Sequence, residues 1–129
     1  MTQTLLYIED DTDNIHLIER LLARRPGIRL LVGRTASDGI AVAVTERPDL
    51  ILLDNHLPDG TGSEVIERLA AATATATIPV VIVSGDPPAS AASGPATATS
   101  ADYLGKPFRM AEFFDMIDRH LPGAATEGS

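Results

Sequence analysis

The sequence predicts an α/β protein built on an open parallel sheet with helices on both faces. Short apolar runs that read as buried strands alternate along the chain with segments of helical period, a pattern that implies right-handed crossovers between parallel strands. The third run, Leu50-Ile51-Leu52-Leu53 between Asp49 and Asp54, is continuously apolar, as expected of a strand covered on both faces. At 129 residues, with 44% hydrophobic and 22% charged, the chain has the size and balance of one soluble globular domain with a single substantial core.

Leu5 to Ile8 is the first strand. In the helix that follows, Asp13 to Arg25, residues Ile15, Ile18, Leu21 and Leu22 share one face, with Arg20, Arg24 and Arg25 largely opposite. Asp11, Thr12 and Asp13 are all N-cap candidates, and Pro26-Gly27 stops the helix. Ile28 to Val32 reads as the second strand. Ser37 to Arg47 reads as the second helix, with Ile40, Val42, Ala43 and Val44 as its apolar residues and Pro48 as its end. After the third strand, the Pro- and Gly-rich loop "NHLPDGTG" leads into a helix from about Ser63 to Ala72. Ile78 to Val83 is the fourth strand and Tyr103-Leu104 a short fifth. Arg109 to Leu121 is a final amphipathic helix carrying Phe113, Phe114, Met116 and Ile117. The tail "PGAATEGS", residues 122–129, reads as a flexible end or the start of a linker, leaving 1–121 as the domain.

Between the fourth and fifth strands the pattern breaks. Residues 85–100, "GDPPASAASGPATATS", hold no long apolar side chain, and Pro87, Pro88, Gly94 and Pro95 disfavour a regular helix. At best one short helix fits between Pro88 and Ser93, so the fourth helix is expected to be short or irregular.

Several function classes fall away on composition. No apolar stretch approaches the roughly 20 residues that a bilayer crossing needs. Met1-Thr2-Gln3-Thr4 lacks the basic residue of a secretory signal. Cysteine is absent, which excludes disulfides, thiolate metal sites and a cysteine nucleophile, and fits a cytoplasmic setting. A net charge of -8 argues against direct binding to nucleic acid phosphates. Lys106 is the single lysine, so any lysine chemistry must use it.

In a parallel sheet the carboxyl ends of all strands share one edge, and ligands bind in the crevice there. The first strand ends in Glu9-Asp10-Asp11, the third in Asp54, the fourth in Ser84, and the fifth just before Lys106-Pro107. Acids at a strand end are by themselves more often solvated caps than ligands. Here four strand ends supply carboxylates, a hydroxyl and the only lysine ammonium group to one crevice. Crowded carboxylates repel unless a cation compensates them. An all-oxygen set with few carboxylates favours Mg²⁺, which keeps several waters and binds beside phosphate oxygens. Carboxylates, Mg²⁺, Ser84 and Lys106 together make a phosphoryl-transfer site in which Asp54 is a candidate nucleophile. His16, His56 and His120 show no metal-ligand spacing and read as surface residues.

The strings "YIEDD", "DLILLDNHLPDGTG", "VVIVSG" and "ADYLGKPF" fall in this order on the first, third, fourth and fifth strands. Through them the chain resembles, over about residues 4–121, the receiver domain of two-component response regulators of the chemotaxis-regulator type. Each string alone is weak, and the ordered combination is highly specific. The resemblance implies a doubly wound, flavodoxin-like (βα)5 fold with a five-stranded parallel sheet in the order 2-1-3-4-5. It implies that Asp54 accepts a phosphoryl group from a phosphohistidine on a histidine kinase or histidine phosphotransfer protein. Asp10 would bind Mg²⁺ directly and Glu9 mainly through water, alongside an Asp54 oxygen and the backbone carbonyl of His56. Lys106 would hold a phosphoryl oxygen, and Ser84 would move to hydrogen-bond another. Tyr103 matches the family's switch aromatic, which turns inward with that movement, and Asp11 helps start the next helix.

The function so implied is a phosphorylation-dependent switch, with self-phosphorylation and self-dephosphorylation its only chemistry and its downstream partner open. No effector domain is evident, so a stand-alone regulator, or a receiver cut from a hybrid histidine kinase or a longer regulator, is expected. The family's fourth helix is normally part of the partner surface, and its Pro- and Ala-rich replacement here implies altered docking. Two other readings compete. A phosphatase with an aspartyl nucleophile usually carries a second Asp two residues on, where this chain has His56. A pseudo-receiver acting only as a binding module sits poorly with retention of every site residue.

Overall fold

The computed structural model describes residues 3–54, 56–84, 100–105 and 108–121, and for His56, Ser84 and residues 100–103 it describes the backbone alone. The elements, in chain order, are β1 (Gln3–Ile8), α1 (Thr12–Leu22), β2 (Ile28–Gly33), α2 (Ala36–Glu46), β3 (Leu50–Asp54), β4 (His56–Leu57), β5 (Gly60–Thr61), α3 (Gly62–Ala71), β6 (Val80–Ser84), β7 (Ser100–Gly105) and α4 (Met110–His120). Five of the strands form one sheet in the order β2-β1-β3-β6-β7, every pair parallel. This is the predicted 2-1-3-4-5 order. Successive side chains alternate between the faces of a strand, so each strand feeds two cores. Leu5 and Tyr7 of β1 pack with α1 and α4, through Ile15, Ile18, Phe113 and Ile117. Leu6 and Ile8 pack with α2 and α3, through Ala43, Val65 and Leu69. The sheet is thus covered on both faces, and all five residues of β3 are buried. No helix among the described residues is long and apolar enough to cross a membrane.

The predicted helices occur with shifted ends. The Asp11 carboxylate caps α1 by accepting from the Asp13 N–H at 2.9 Å, the role expected of it. At the other end of α1, the Arg25 guanidinium stacks 4.4 Å above the Phe114 ring and pairs with Asp118 at 3.3 Å, tying the helix to α4. Helix α3 begins earlier than expected because Thr61 and Glu64 form a capping box. The Thr61 hydroxyl accepts the Glu64 N–H at 3.2 Å, and the Glu64 carboxylate accepts the Thr61 N–H at 2.8 Å. Thr61→Ala removes one half of that box and is expected to cost about 1 kcal/mol. A thermal melt checks this: the midpoint should fall by a few degrees, and an unchanged midpoint would show that the box adds nothing.

Three readings are corrected or refined. Val44, grouped with Ile40, Val42 and Ala43 as the apolar residues of its helix, is 41% exposed. Ala43 takes the core position, and a step of one residue turns the side chain by about 100°. His120, read as a surface residue, is half-buried with its Nε2 screened from solvent, because it lies in the last turn of α4 between buried Ile117 and Leu121. The loop "NHLPDGTG" is not irregular throughout: His56 pairs with Thr61 and Leu57 with Gly60 in a small antiparallel hairpin. The short or irregular helix expected in 85–100 and the tail 122–129 fall outside the described residues, apart from Ser100.

Close packing of α2 depends on two glycines. A Cβ on Gly33 would stand 2.6 Å from the Gly39 Cα, and one on Gly39 would stand 2.5 Å from Cδ1 of Ile8. Neither has a positive φ. Space, not backbone conformation, requires glycine at both positions.

Candidate functional site

The chain runs from β1 through α1 to β2 on one side, and β3 lies on the other side of β1. The carboxyl ends of β1 and β3 therefore flank the point where the strand order reverses, which is where open α/β sheets form their crevice. Ile8 pairs with Leu53 across the two strands. The next residues, Glu9 and Asp54, consequently leave the sheet side by side. Carboxylate oxygens of Glu9, Asp10 and Asp54 all lie within 4.8 Å of one another. Glu9 is 1% and Asp54 7% exposed, whereas Asp10 is open to solvent.

Glu9 is held from two elements. Its Oε1 accepts the buried Tyr7 hydroxyl at 2.9 Å and the Asn14 Nδ2–H at 3.1 Å, while Oε2 accepts the Asp11 N–H at 3.4 Å. Tyr7 lies two residues before Glu9 on the strand, so the two side chains leave the same face. Burial, then the Glu9 charge and hydrogen bond, with smaller contributions from the Asp54 and Asp11 charges, drive the Tyr7 phenol far above its ordinary range. Tyr7 is therefore a permanent donor. At the rim, Arg34 Nη1 donates to the Asp10 carbonyl at 3.4 Å and to Thr12 Oγ1 at 3.3 Å, bringing a cation to the mouth of the crevice.

The hairpin after β3 is fastened to its surroundings. Asp59, in its turn, accepts the Ala36 N–H at 2.6 Å and the Ser37 N–H at 3.1 Å, so it caps the start of α2 from a different loop. Those two backbone donors hold the Asp59 carboxyl below its usual range. The sequence alone did not single out Tyr7, Asn14, Arg34 or Asp59 for these contacts. Only Tyr7 left a signal there, its two-residue spacing from Glu9.

Of the sequence-predicted residues, Glu9, Asp10 and Asp54 come together. His56 opens β4, two residues beyond Asp54; Ser84 ends β6 beside β3, where Asp54 pairs with Val83; Tyr103 pairs with Ile82 in β7. The side chains of His56, Ser84 and Tyr103, and the whole of Lys106, lie outside the described residues. A divalent hard cation fits the donor set, since every ligand atom offered is oxygen and the anionic crowding calls for a countercharge.

Known proteins extend these observations. The KDP operon transcriptional regulatory protein KdpE of Escherichia coli is 35% identical over 109 residues, covering 84% of this chain and 47% of that protein. The chain thus spans about half the length of that relative. Protein PilH of Pseudomonas aeruginosa is 26% identical over 119 residues, covering 92% of this chain and 98% of PilH. A solved receiver domain of the sensor histidine kinase PA1611 from P. aeruginosa, with a magnesium ion coordinated in its active-site cleft, matches with a TM-score of 0.80. At 23% identity, over 95% of this chain and 99% of that one, the match establishes the shared fold. Residues 5–118 fit the profile of the response regulator receiver domain, and the chain belongs to that family.

Proposed function

We propose that this domain accepts a phosphoryl group on Asp54, in a Mg²⁺-dependent transfer from a phosphohistidine of a histidine kinase or histidine phosphotransfer protein, and so switches its binding to a downstream partner. The observation that carries the proposal is the meeting of Glu9, Asp10 and Asp54 oxygens within 4.8 Å at the reversal of strand order. In the transfer an Asp54 oxygen attacks phosphorus. The P–N bond to the donor imidazole breaks, an acyl phosphate forms, and the imidazole nitrogen keeps the electron pair and takes a proton from water. Asp10 and Asp54 would hold the ion directly and Glu9 through water, with the His56 carbonyl as a further ligand. Mg²⁺, when bound, neutralises charge on the phosphoryl oxygens. Lys106 would pair with one of those oxygens and Ser84 with another, while Tyr103 follows Ser84 to report the change. The magnesium ion in the PA1611 cleft supports the choice of metal.

On this reading the domain is not a turnover enzyme. It works in the cytoplasm, as a regulator on its own or as part of a longer protein. Incubation with a small phosphodonor and Mg²⁺ should add the mass of one phosphoryl group to the intact protein. Absence of the adduct, or sustained turnover of phosphate esters, would contradict the proposal. Asp10→Ala should weaken Mg²⁺ binding by roughly tenfold or more in calorimetric titration. Undiminished affinity would remove Asp10 from the ligand set.

A further inference from the structure

We propose that Tyr7 and Asn14 are positioning residues that hold the Glu9 carboxylate as an outer acceptor for metal-bound water, and thereby set a preference for Mg²⁺ over Ca²⁺. The inference rests on the metal site proposed above and goes beyond it by naming what selects the ion.

A carboxylate offers about four lone-pair directions on its two oxygens. Two donors from different elements converge on Oε1 of Glu9: the Tyr7 hydroxyl from β1 at 2.9 Å and the Asn14 amide from α1 at 3.1 Å. The Asp11 N–H sits on Oε2 at 3.4 Å. A Glu9 that turned to grip a cation with both oxygens would have to release these donors. In the case of Tyr7 this would strand a hydroxyl on a side chain only 1% exposed.

The two ions place different demands on such a group. Ca²⁺ takes roughly six to eight oxygens, readily including a bidentate carboxylate, at about 2.3–2.6 Å. Mg²⁺ is smaller, requires near-octahedral geometry at about 2.0–2.1 Å, and keeps several of its waters. A Glu9 pinned by Tyr7 and Asn14 withholds the bidentate grip that Ca²⁺ would use. For Mg²⁺ the same pinned carboxylate is a preset acceptor for a retained water. Groups that orient a ligand shell in this way commonly alter metal affinity by roughly tenfold to a hundredfold.

Direct calorimetric titration with MgCl2 and with CaCl2, in the absence of phosphodonor, tests the proposal on the whole chain. Tyr7→Phe keeps the ring and deletes the donor. The ratio of the Ca²⁺ to the Mg²⁺ dissociation constant is expected to fall several-fold in that variant. Asn14→Ala, at a half-buried position on α1, should lower the same ratio, and it serves as the test should Tyr7→Phe fail to fold. A ratio equal to wild type overturns the inference, as does an equal weakening for both ions, which marks a merely structural role. A wild-type chain that binds neither ion overturns the metal site itself, an outcome distinct from an unchanged ratio.

Discussion

Asp54→Asn is expected to abolish the phosphoryl adduct completely while leaving the fold intact. The amide matches the carboxylate in size, and the position is the last of a strand whose other residues are apolar and buried, so the packing of β3 has no reason to change. What changes is the chemistry. An amide oxygen carries no full negative charge, is a poor nucleophile toward phosphorus, and offers a cation far less than a carboxylate does. Neither of the other two carboxylates in the cluster is an equivalent substitute. Glu9 is tied to Tyr7 and Asn14, and Asp10 is exposed at the rim. Intact mass after incubation with phosphodonor and Mg²⁺ reads the result, with circular dichroism to verify the fold. An adduct that persists in the variant would move the acceptor elsewhere.

Gly33→Ala is expected to destabilise the domain by about 3 kcal/mol, the upper end of the usual cost of overpacking. The added methyl would meet the Gly39 Cα at 2.6 Å and the Gly39 nitrogen at 2.8 Å. These are backbone atoms of α2 and cannot rotate aside as a side chain does. Relief requires the helix to lift from the sheet, which opens the packing of Ala36 and Ala43 against Leu6 and Ile8. The reduced freedom of the unfolded alanine chain returns about 0.4–1 kcal/mol at most. Urea unfolding measures the net effect, and a loss under about 1 kcal/mol would mean that α2 adjusts without penalty. Ile8 directly precedes Glu9, so the same lift would also disturb the acid cluster.

The fold was legible because its strongest constraints are local. A run such as Leu50 to Leu53 must be buried on both faces, and the helices show their apolar period, with Pro26, Pro48 and Pro122 following the first, second and last of those described. The parts that escaped are made by partners distant in sequence. Ser100, Ala101 and Asp102 give no strand signal; they become strand because β6 offers them a parallel ladder, with a register shift at Val80/Val81. The hairpin at 56–61 closes within a segment whose composition reads only as loop. The capping box of α3 was present in the sequence as Thr61-x-x-Glu64, and the start of that helix was readable to that extent. For the site, Glu9, Asp10 and Asp54 could be assembled on paper because parallel strands end on one edge. The hold on Glu9 by Asn14 could not, since it depends on how the first turn of α1 folds back over the end of β1.

Asp59 gives the segment after β3 a mechanical character. The β4–β5 ladder stiffens this segment, the Asp59 carboxylate bolts its turn to α2, and the Thr61–Glu64 pair bolts its exit to α3. Two mountings and an internal ladder leave the described part of this segment, residues 56–61, little freedom to bend on its own. The turn of this segment is thus tied to the first turn of α2 and its exit to the first turn of α3, so one short hairpin joins the starts of two helices that lie apart in sequence.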